Sequence, residues 1–351
     1  MTTTSRKPHI LIIYTGGTIG MIENPDTHSL EPFDFTHLID NVPKIKMLDY
    51  DIHHIQFEPP IDSSDMQPEK WSDIVRQIEK HYDDFDGFVV LHGTDTMAYT
   101  ASALSFMLQN LNKPVIITGS QLPIGEVRTD GEENLITALQ IAAAIDPLDG
   151  GPMIREVAIL FENYLWRGNR ATKKSADNFN AFKSYNYPQL ANIGLGITFN
   201  QEALWRKAPD GPLKAYTDLD QSVMYVDLFP GLTERVLRHQ LSTPGVRGIV
   251  LRTYGAGNGP TSQWFYDAIV DAVADGKVII NITQCISGGT YTRRYYAGNR
   301  LLDAGAISGR DMTSEAALCK LMHLFGLGLS TEEIKQRITE PLRGEISDTD
   351  R

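Results

Sequence analysis

The sequence predicts the α/β class, with a larger N-terminal parallel-sheet domain followed by a smaller C-terminal α/β domain. Two observations lead to this prediction. Short runs of β-branched and other apolar residues recur along the chain, and each run is apolar throughout, as in parallel strands that are covered on both faces. Stretches with helical spacing of apolar residues separate these runs, which indicates strand–helix–strand units with right-handed crossovers.

Four strands and three helices are predicted in the first part of the chain. The strands are Ile10–Tyr14, Gly87–Leu91, Pro114–Thr118 and Val157–Phe161. The helices begin at Pro68, at Met97 and at Asn134, and the last two extend to Leu111 and Ile145. The proline favours a helix start because its missing N–H would have no partner in the first turn.

A polar, turn-rich stretch then interrupts the pattern, as a linker does. We therefore expect domains at residues 1–205 and 222–351, joined by a linker at 206–221. Beyond the linker the alternation resumes with strands Val223–Phe229, Gly248–Leu251 and Lys277–Ile282 and helices Thr233–Leu241, Ser262–Ala274, Ser314–Phe325 and Thr331–Thr339.

Composition excludes several classes of function. The 351 residues include 44 acidic and 32 basic side chains, a net charge of −12, which disfavours nucleic acid or an acidic membrane as a partner. Two cysteines, Cys285 and Cys319, cannot form a disulfide framework or a cysteine zinc site, and they favour a reducing compartment. The apolar run Ile10–Tyr14 is too short for a secretory core or a membrane span, so we expect a soluble cytoplasmic protein.

The loops after the first three predicted strands are rich in glycine and hydroxyl groups. They are Thr15–Gly20, His92–Thr96 and Thr118–Gln121. Ligands of open α/β sheets bind outside the carboxyl ends of the strands, so we expect the flanking threonines to present their Oγ atoms towards one crevice. The alternative is that Gly16 and Gly17 serve only a tight turn. The loops match neither the Gly-x-Gly-x-x-Gly pattern of dinucleotide-binding proteins nor the Gly-x-x-x-x-Gly-Lys-Ser/Thr pattern of nucleotide-binding loops.

A threonine hydroxyl is a weak nucleophile and needs a partner to take its proton. Lys173, beyond the fourth predicted strand, could be that partner if partial burial lowers its pKa; the alternative is a surface lysine. Asp95 could equally cap a helix, as could the Asp62–Met66 segment. No His-Glu-x-x-His or Gly-x-Ser-x-Gly motif occurs, which argues against a zinc hydrolase and a serine hydrolase. The residues alone thus predict a threonine-rich site for a small polar ligand.

Four segments resemble motifs of the bacterial L-asparaginase family. They are Tyr14–Gly20, Asp62–Met66, Leu91–Tyr99 and Tyr254–Asn258, in the expected order within residues 8–345. Asn281–Cys285 makes the chain most similar to the cytoplasmic type I enzymes. The resemblance implies a flavodoxin-like C-terminal domain and hydrolysis of L-asparagine to L-aspartate and ammonia, without a metal or organic cofactor.

The resemblance also implies roles for individual residues. Thr18 matches the nucleophile, which forms a β-aspartyl ester, and Thr94 and Lys173 match the pair that handles protons. Asp95 would bind the substrate's α-ammonium group, and Ser63 and Ser64 its α-carboxylate. Backbone N–H groups near Gly17 and Thr94 would stabilise the oxyanion.

One position departs from the family pattern. The loop after the nucleophile normally carries a tyrosine that approaches it, and Leu30 stands at that position here. Either Tyr14 or another group substitutes, or proton handling depends on Thr94 and Lys173.

The resemblance further implies a homodimer or homotetramer in which Asn258 completes the active site of a neighbouring subunit. Thr172, Arg252 and Cys285 match positions that line an activating, allosteric asparagine site in type I enzymes; alternatively, Arg252 and Cys285 are ordinary residues at strand ends. A related glutaminase-asparaginase and a catalytically silent amino-acid sensor remain alternative functions.

Overall fold

A computed structural model describes residues 6–23, 30–32, 42–290 and 296–347 of the protein. The chain forms two compact units, Met1–Thr217 and Asp218–Arg351. The boundary between them lies inside the segment expected to be a linker. Part of that segment, Lys214–Ala215, is a strand that pairs with Leu108–Gln109 and so belongs to the first unit.

The described residues of the first unit contain strands and helices in alternation. The strands are β1 (His9–Gly16), β2 (Met21–Glu23), β3 (Leu30–Pro32), β4 (Asp51–Ile61), β5 (Gly87–Leu91), β6 (Leu108–Gln109), β7 (Val115–Thr118), β8 (Val157–Phe161), β9 (Tyr164–Arg167), β10 (Thr172–Lys173), β11 (Phe182–Lys183), β12 (Ala191–Ile193), β13 (Ile197–Phe199) and β14 (Lys214–Ala215). The helices are α1 (Pro68–Lys80), α2 (Met97–Met107) and α3 (Gly131–Ala142). Short 3₁₀ turns lie at Thr18–Gly20, Pro43–Met47, Ser63–Asp65 and Gly168–Arg170.

An eight-stranded sheet forms the centre of the first unit, in the order β13-β12-β9-β8-β7-β5-β1-β4. The five strands from β8 to β4 are parallel, and the remaining three are antiparallel. Ile12, Val89 and Ile116, on three neighbouring strands, are fully buried in one apolar cluster with Leu135 of α3. Because these five strands are parallel, the carboxyl ends of β4, β1, β5, β7 and β8 lie along the same side of the sheet, where the strands end.

The second unit contains a smaller, four-stranded parallel sheet. Its elements are β15 (Val223–Asp227), β16 (Gly248–Thr253), β17 (Val278–Thr283), β18 (Ile307–Ser308), α4 (Glu234–Leu241), α5 (Gln263–Ala274), α6 (Tyr296–Asp303), α7 (Ser314–Gly326) and α8 (Thr331–Arg337). Successive residues of β16 face opposite sides: Ile249 and Leu251 join an apolar cluster with α4 and α5, whereas Val250 joins a second cluster with α7 and α8. Helices therefore cover both faces of this sheet.

The predicted fold class is confirmed, and the four predicted apolar strands are β1, β5, β7 and β8. The helix expected from Met97 to Leu111 was predicted too long: it ends at Met107, because Leu108 and Gln109 form β6. β4 was missed because it is a half-exposed edge strand whose apolar residues form neither a continuous run nor a regular alternation with polar ones. In the described part of the chain, no helix is long and apolar enough to cross a membrane.

Candidate active site

The loops that follow β1 and β5 touch through two glycines. A Cβ atom added to Gly17 would lie 2.5 Å from the Cα atom of Gly93, and one added to Gly93 would lie 3.4 Å from the Cα atom of Gly17. Gly17 also has a φ of +90°, which side-chain-bearing residues rarely adopt. Since consecutive Cα atoms lie about 3.8 Å apart, Thr18 and Thr94, which follow these glycines, are neighbours across the two loops.

The loop after β4 joins the same contact. A Cβ atom on Gly93 would lie 2.5 Å from Ser63 Oγ, and Thr96 Oγ1 donates a hydrogen bond to the Ser63 carbonyl at 2.7 Å. Ser63 is buried, whereas Ser64 is exposed. The Asp62 carboxylate caps the short turn by accepting hydrogen bonds from the backbone N–H and the hydroxyl of Ser64, both at 2.9 Å.

Thr18 is half-buried and lies in a closed turn. The N–H of Gly20 donates to the carbonyl of Gly17 at 3.1 Å, and the N–H of Met21 donates to the carbonyl of Thr18. Tyr14 is fully buried, and its hydroxyl donates to the carbonyl of Gly20 at 3.0 Å. Leu30 lies in β3, and its side chain lies outside the described residues.

Lys173 joins the Thr94 loop from β10. Its Nζ atom donates to Thr94 Oγ1 at 2.9 Å and lies 2.6 Å from Asp95 Oδ1. The Lys173 side chain is only 19% exposed, whereas that of Asp95 is 65% exposed. Asp95 therefore pairs with a lysine instead of capping α2, whose first turn has no side-chain cap.

Gln121, in the loop after β7, is a partner of Thr94 that the sequence analysis did not identify. Thr94 Oγ1 lies 3.3 Å from Gln121 Oε1. Because a lysine ammonium only donates, Thr94 accepts from Lys173 and donates its own proton to Gln121. The Gln121 amide nitrogen donates to the carbonyl of Asn178 at 3.0 Å, which fixes which end of the amide faces Thr94. The position of Gln121 at the end of a neighbouring strand was the only signal for this role.

Asp130 holds the backbone of that loop. Its carboxylate accepts from the N–H of Gln121 at 3.0 Å and from the N–H of Leu122 at 3.2 Å. The side-chain amide of Asn134 donates to Asp130 at 3.2 Å and to the carbonyl of Gly119 at 2.9 Å. Burial raises the pKa of Asp130, and these hydrogen bonds only partly offset that effect.

The buried ring of His92 supports the Thr94 loop through hydrogen bonds. His92 Nδ1 lies 2.6 Å from the carbonyl oxygen of Gly93, and His92 Nε2 lies 2.8 Å from Thr100 Oγ1. Since a carbonyl only accepts, Nδ1 carries the proton, and Nε2 accepts from Thr100, whose oxygen accepts from Trp71 Nε1 at 2.9 Å. Burial lowers the pKa of His92 to about 4. The ring is therefore neutral and structural.

Two threonines do not face the crevice, and the expectation that they do was wrong. Thr15 Oγ1 donates to the carbonyl of Leu91 at 2.8 Å, and Thr118 Oγ1 donates to the carbonyl of Leu160 at 2.9 Å. Both threonines are buried. Each hydroxyl satisfies a carbonyl at the end of the next strand, a requirement of buried backbone that the sequence pattern does not show.

The remaining predicted site residues are Thr172, next to Lys173 in the first unit, and Asn258, Arg252 and Cys285 in the second unit. Thr172 is half-buried in β10 of the first unit. In the second unit, Asn258 closes a turn with Tyr254 through two backbone hydrogen bonds of 2.8 and 3.0 Å, and Arg252 Nε lies 3.2 Å from Asp227 Oδ1. Cys285 is an exposed free thiol. The described residues contain no group of three or more His, Cys, Asp or Glu side chains arranged to hold a metal ion.

Two family models cover most of the chain. The model described as "Asparaginase, N-terminal" matches residues 9–205, and the "Glutaminase/Asparaginase C-terminal domain" model matches residues 222–338. L-asparaginase 1 of Escherichia coli (strain K12) is 43% identical over 350 residues, which are 98% of this chain and all of the relative.

Solved structures show the same likeness. L-asparaginase I of Vibrio cholerae matches with a TM-score of 0.88 and 40% identity, over 97% of this chain and 100% of that one. The thermostable L-asparaginase of Thermococcus kodakarensis matches with a TM-score of 0.85 and 34% identity, over the same shares. The resemblance carried by the four motifs is thus confirmed, and the chain belongs to the asparaginase family.

Proposed function

We propose that this protein hydrolyses the side-chain amide of L-asparagine to L-aspartate and ammonia, with Thr18 as the nucleophile. The observation that carries the proposal is the contact between Gly17 and Gly93, since it brings the Thr18 loop against the Thr94–Lys173 cluster. Membership of the asparaginase family supports the same substrate class.

In the first step, Thr18 Oγ attacks the amide carbon and forms a β-aspartyl ester, and the leaving nitrogen takes a proton and departs as ammonia. Backbone N–H groups near Gly17 and Thr94 stabilise the oxyanion, an effect worth about 2.7–4 kcal/mol per donor in comparable sites. Water then attacks the carbonyl carbon of the ester, its hydroxyl group joins the acyl group to give L-aspartate, and its other proton passes to Thr18 Oγ.

Thr94 and Lys173 handle the protons of these steps. Lys173 Nζ donates to Thr94 Oγ1 at 2.9 Å and to Asp95 Oδ1 at 2.6 Å. The direct contact between Nζ and Oγ1 gives a route by which a proton can pass between the two side chains.

The polar head of asparagine fits the exposed side of the same cluster. The Asp95 carboxylate is largely exposed and available to an ammonium group. The Ser63–Asp65 turn packs against Gly93, and its exposed Ser64 would bind the α-carboxylate by exchanging its hydroxyl bond to Asp62 for one to the substrate. Recognition of both charged groups restricts the substrate to a free amino acid, and the proposed attack by Thr18 requires a side-chain amide on it.

Ammonia release from L-asparagine tests the proposal. The wild-type enzyme should turn over, and Thr18→Ala and Thr94→Val should each lose activity by about 10³-fold or more while they remain folded. Without wild-type turnover, the catalytically silent sensor is the better description. L-glutamine differs from L-asparagine by one methylene group, which supplies only about 1–3 kcal/mol of discrimination. The kcat/KM for L-glutamine should therefore be measured as well, and a value equal to that for L-asparagine would identify a glutaminase-asparaginase.

Assembly and regulation are further parts of the proposal. We propose a homodimer or homotetramer in which Asn258 reaches the site of a neighbouring subunit. Light scattering gives the subunit number, and mixing Thr18→Ala with Asn258→Ala chains should restore activity if one site draws on two chains. A monomer with full activity would contradict this part.

An activating asparagine site at Thr172, Arg252 and Cys285 is a separate proposal. It predicts sigmoidal asparagine kinetics that become hyperbolic in Arg252→Ala. Hyperbolic kinetics of the wild-type enzyme would contradict it.

The exposed free thiol of Cys285 suits a reducing compartment, which supports a cytoplasmic location.

A further inference from the structure

The turn that carries Thr18 is fixed at four successive carbonyl groups. Those of Gly17, Thr18 and Ile19 accept from the backbone N–H groups of Gly20, Met21 and Ile124, at 3.1 Å for the first and 3.4 Å for the last. The fourth carbonyl, that of Gly20, accepts from the hydroxyl of Tyr14 at 3.0 Å. A side chain thus supplies the bond that closes this turn.

The donor of that bond is held firmly. Tyr14 lies in β1, where its backbone is in register with Gln56 of β4 on one side and Leu91 of β5 on the other. Its side chain is fully buried in the core of the first unit. The phenol oxygen therefore has a defined position relative to the centre of the sheet.

Gly20 is shaped to this phenol. A Cβ atom at Gly20 would overlap the Oη and Cζ atoms of Tyr14 and would lie 2.8 Å from Cε2. The ring is packed among buried side chains and cannot move aside without disturbing them. Tyr14 and Gly20 thus form a matched pair in which a large side chain fits only because the other has none.

We propose that Tyr14 is a positioning residue for Thr18: its hydroxyl anchors the far end of the turn to the central sheet and so aims the threonine oxygen at the amide carbon. This inference rests on the proposed function, in which Thr18 is the nucleophile. Because the hydroxyl donates to the Gly20 carbonyl, the role assigned to Tyr14 is to position Thr18 and not to take its proton. With Leu30 at the position of the family's loop tyrosine, Tyr14 contributes order to the turn.

Tyr14→Phe tests the anchor by removing only the hydroxyl. Misplacing a nucleophile slows the chemical step without weakening substrate binding, so kcat for L-asparagine should fall between about 10-fold and 100-fold and KM should change little. Covalent labelling of Thr18 by a diazoketone analogue of L-asparagine, followed by mass spectrometry, should slow by the same factor. The affinity for L-aspartate, measured by calorimetry, should stay at the wild-type value.

Tyr187→Phe is the matched control. Tyr187 also donates its hydroxyl to a backbone carbonyl of the first unit, that of Ala203, at 2.9 Å. It should lose a similar amount of stability and keep its kcat and labelling rate. Equal loss of kcat in both variants would overturn the inference, because a general loss of stability would then explain it.

Gly20→Ala tests the fit of the pair. The added methyl should displace the phenol and slow labelling of Thr18 at least as much as Tyr14→Phe does. In Tyr14→Leu/Gly20→Ala the ring is gone, so the methyl should add no further loss to Tyr14→Leu alone. Additive losses would contradict the matched pair.

The outcomes separate the two proposals. If Thr18→Ala keeps its turnover, the proposed nucleophile is wrong. If Thr18→Ala is inactive but Tyr14→Phe reacts and labels at the wild-type rate, only the role of Tyr14 fails.

Discussion

The loops after β1 and β5 each present one threonine, and they are held in different ways. The Thr18 loop is closed by backbone hydrogen bonds and one buried phenol. The Thr94 loop is held by Lys173, by Gln121 and by the neutral ring of His92, which come from or contact several separate segments.

The difference matches the two tasks that we propose. A nucleophile needs a fixed position, and bonds to backbone carbonyls do not change with the protonation of a substrate. A group that handles protons needs partners whose bonds can be exchanged, and the Lys173–Thr94–Gln121 chain has a donor, a donor–acceptor and an acceptor in sequence. Substitutions at Thr94 and its proton-exchanging partners should therefore change kcat. Substitutions at the buried residues that support the loop, such as His92, should change the free energy of unfolding.

Lys173→Met should have the largest effect. It leaves Thr94 without a charged partner and Asp95 without its cation, so kcat/KM for L-asparagine should fall by about 10³-fold, within the range for loss of acid–base catalysis. Lys183→Met is the control, because Lys183 is an exposed lysine of β11, the strand paired with β10. A loss below tenfold in Lys173→Met would show that Thr94 does not depend on the lysine.

His92 should give the next largest effect, on stability and not on the pH profile of catalysis. Burial lowers its pKa to about 4 from 6.5, so below pH 6.5 the unfolded chain binds a proton that the folded chain refuses. The free energy of unfolding should therefore fall as the pH drops from about 6.5 to about 4, by up to about 3 kcal/mol for this group. Hydrogen exchange of the buried amides in β1 and β5 measures the free energy of unfolding of the first unit at each pH.

His323, in α7, provides the comparison in the second unit, since burial also lowers its pKa to about 4. His92→Asn should flatten the pH dependence of exchange in the first unit, and His323→Asn should flatten it in the second. Unchanged pH dependence in His92→Asn would mean that the ring is charged in the folded protein, contrary to its hydrogen bonds.

Asp130→Asn should have an intermediate effect. In this variant an NH₂ group replaces one of the two carboxylate oxygens. It would face either the N–H of Gln121 or the side-chain amide of Asn134, and both of these are donors that need an acceptor. One such conflict costs about 1–3 kcal/mol of stability. Since Gln121 loses part of its anchor, kcat should fall by about tenfold. Urea unfolding and steady-state kinetics check both effects, and a variant as stable as the wild type would contradict the assigned hydrogen bonds.

The sequence could predict the buried strands and both threonine loops, because apolar runs and strand-end glycines are local signals. It could not predict β4, whose exposed edge position allows polar residues such as His53 and His54. The structural role of His92 has no local sequence pattern, so it was not predicted. That role depends on α1 and α2 placing Trp71 and Thr100 beside the ring.

The candidate site shows the same limit. Motifs indicated Thr18, Thr94 and Asp95, and the family resemblance indicated Lys173; the roles of all four stay predictions. Gln121 and Asp130 carry no motif of their own, since their functions arise from contacts between loops that follow different strands. Such contacts depend on strand order, which a pattern along the chain does not contain.

Thr15→Val should have the smallest effect and tests where the hydroxyls of the Thr18 loop point. Thr15 Oγ1 donates to the carbonyl of Leu91 and is buried, so its loss removes one bond between the ends of β1 and β5. The nearly isosteric valine should lower the free energy of unfolding by about 1 kcal/mol and change kcat by less than about threefold. Thr18→Val, three residues further on, should be inactive. A drop in kcat of more than tenfold in Thr15→Val would place its hydroxyl at the substrate, and the contrast between an anchored threonine at the end of β1 and a reactive one in the following turn would be wrong.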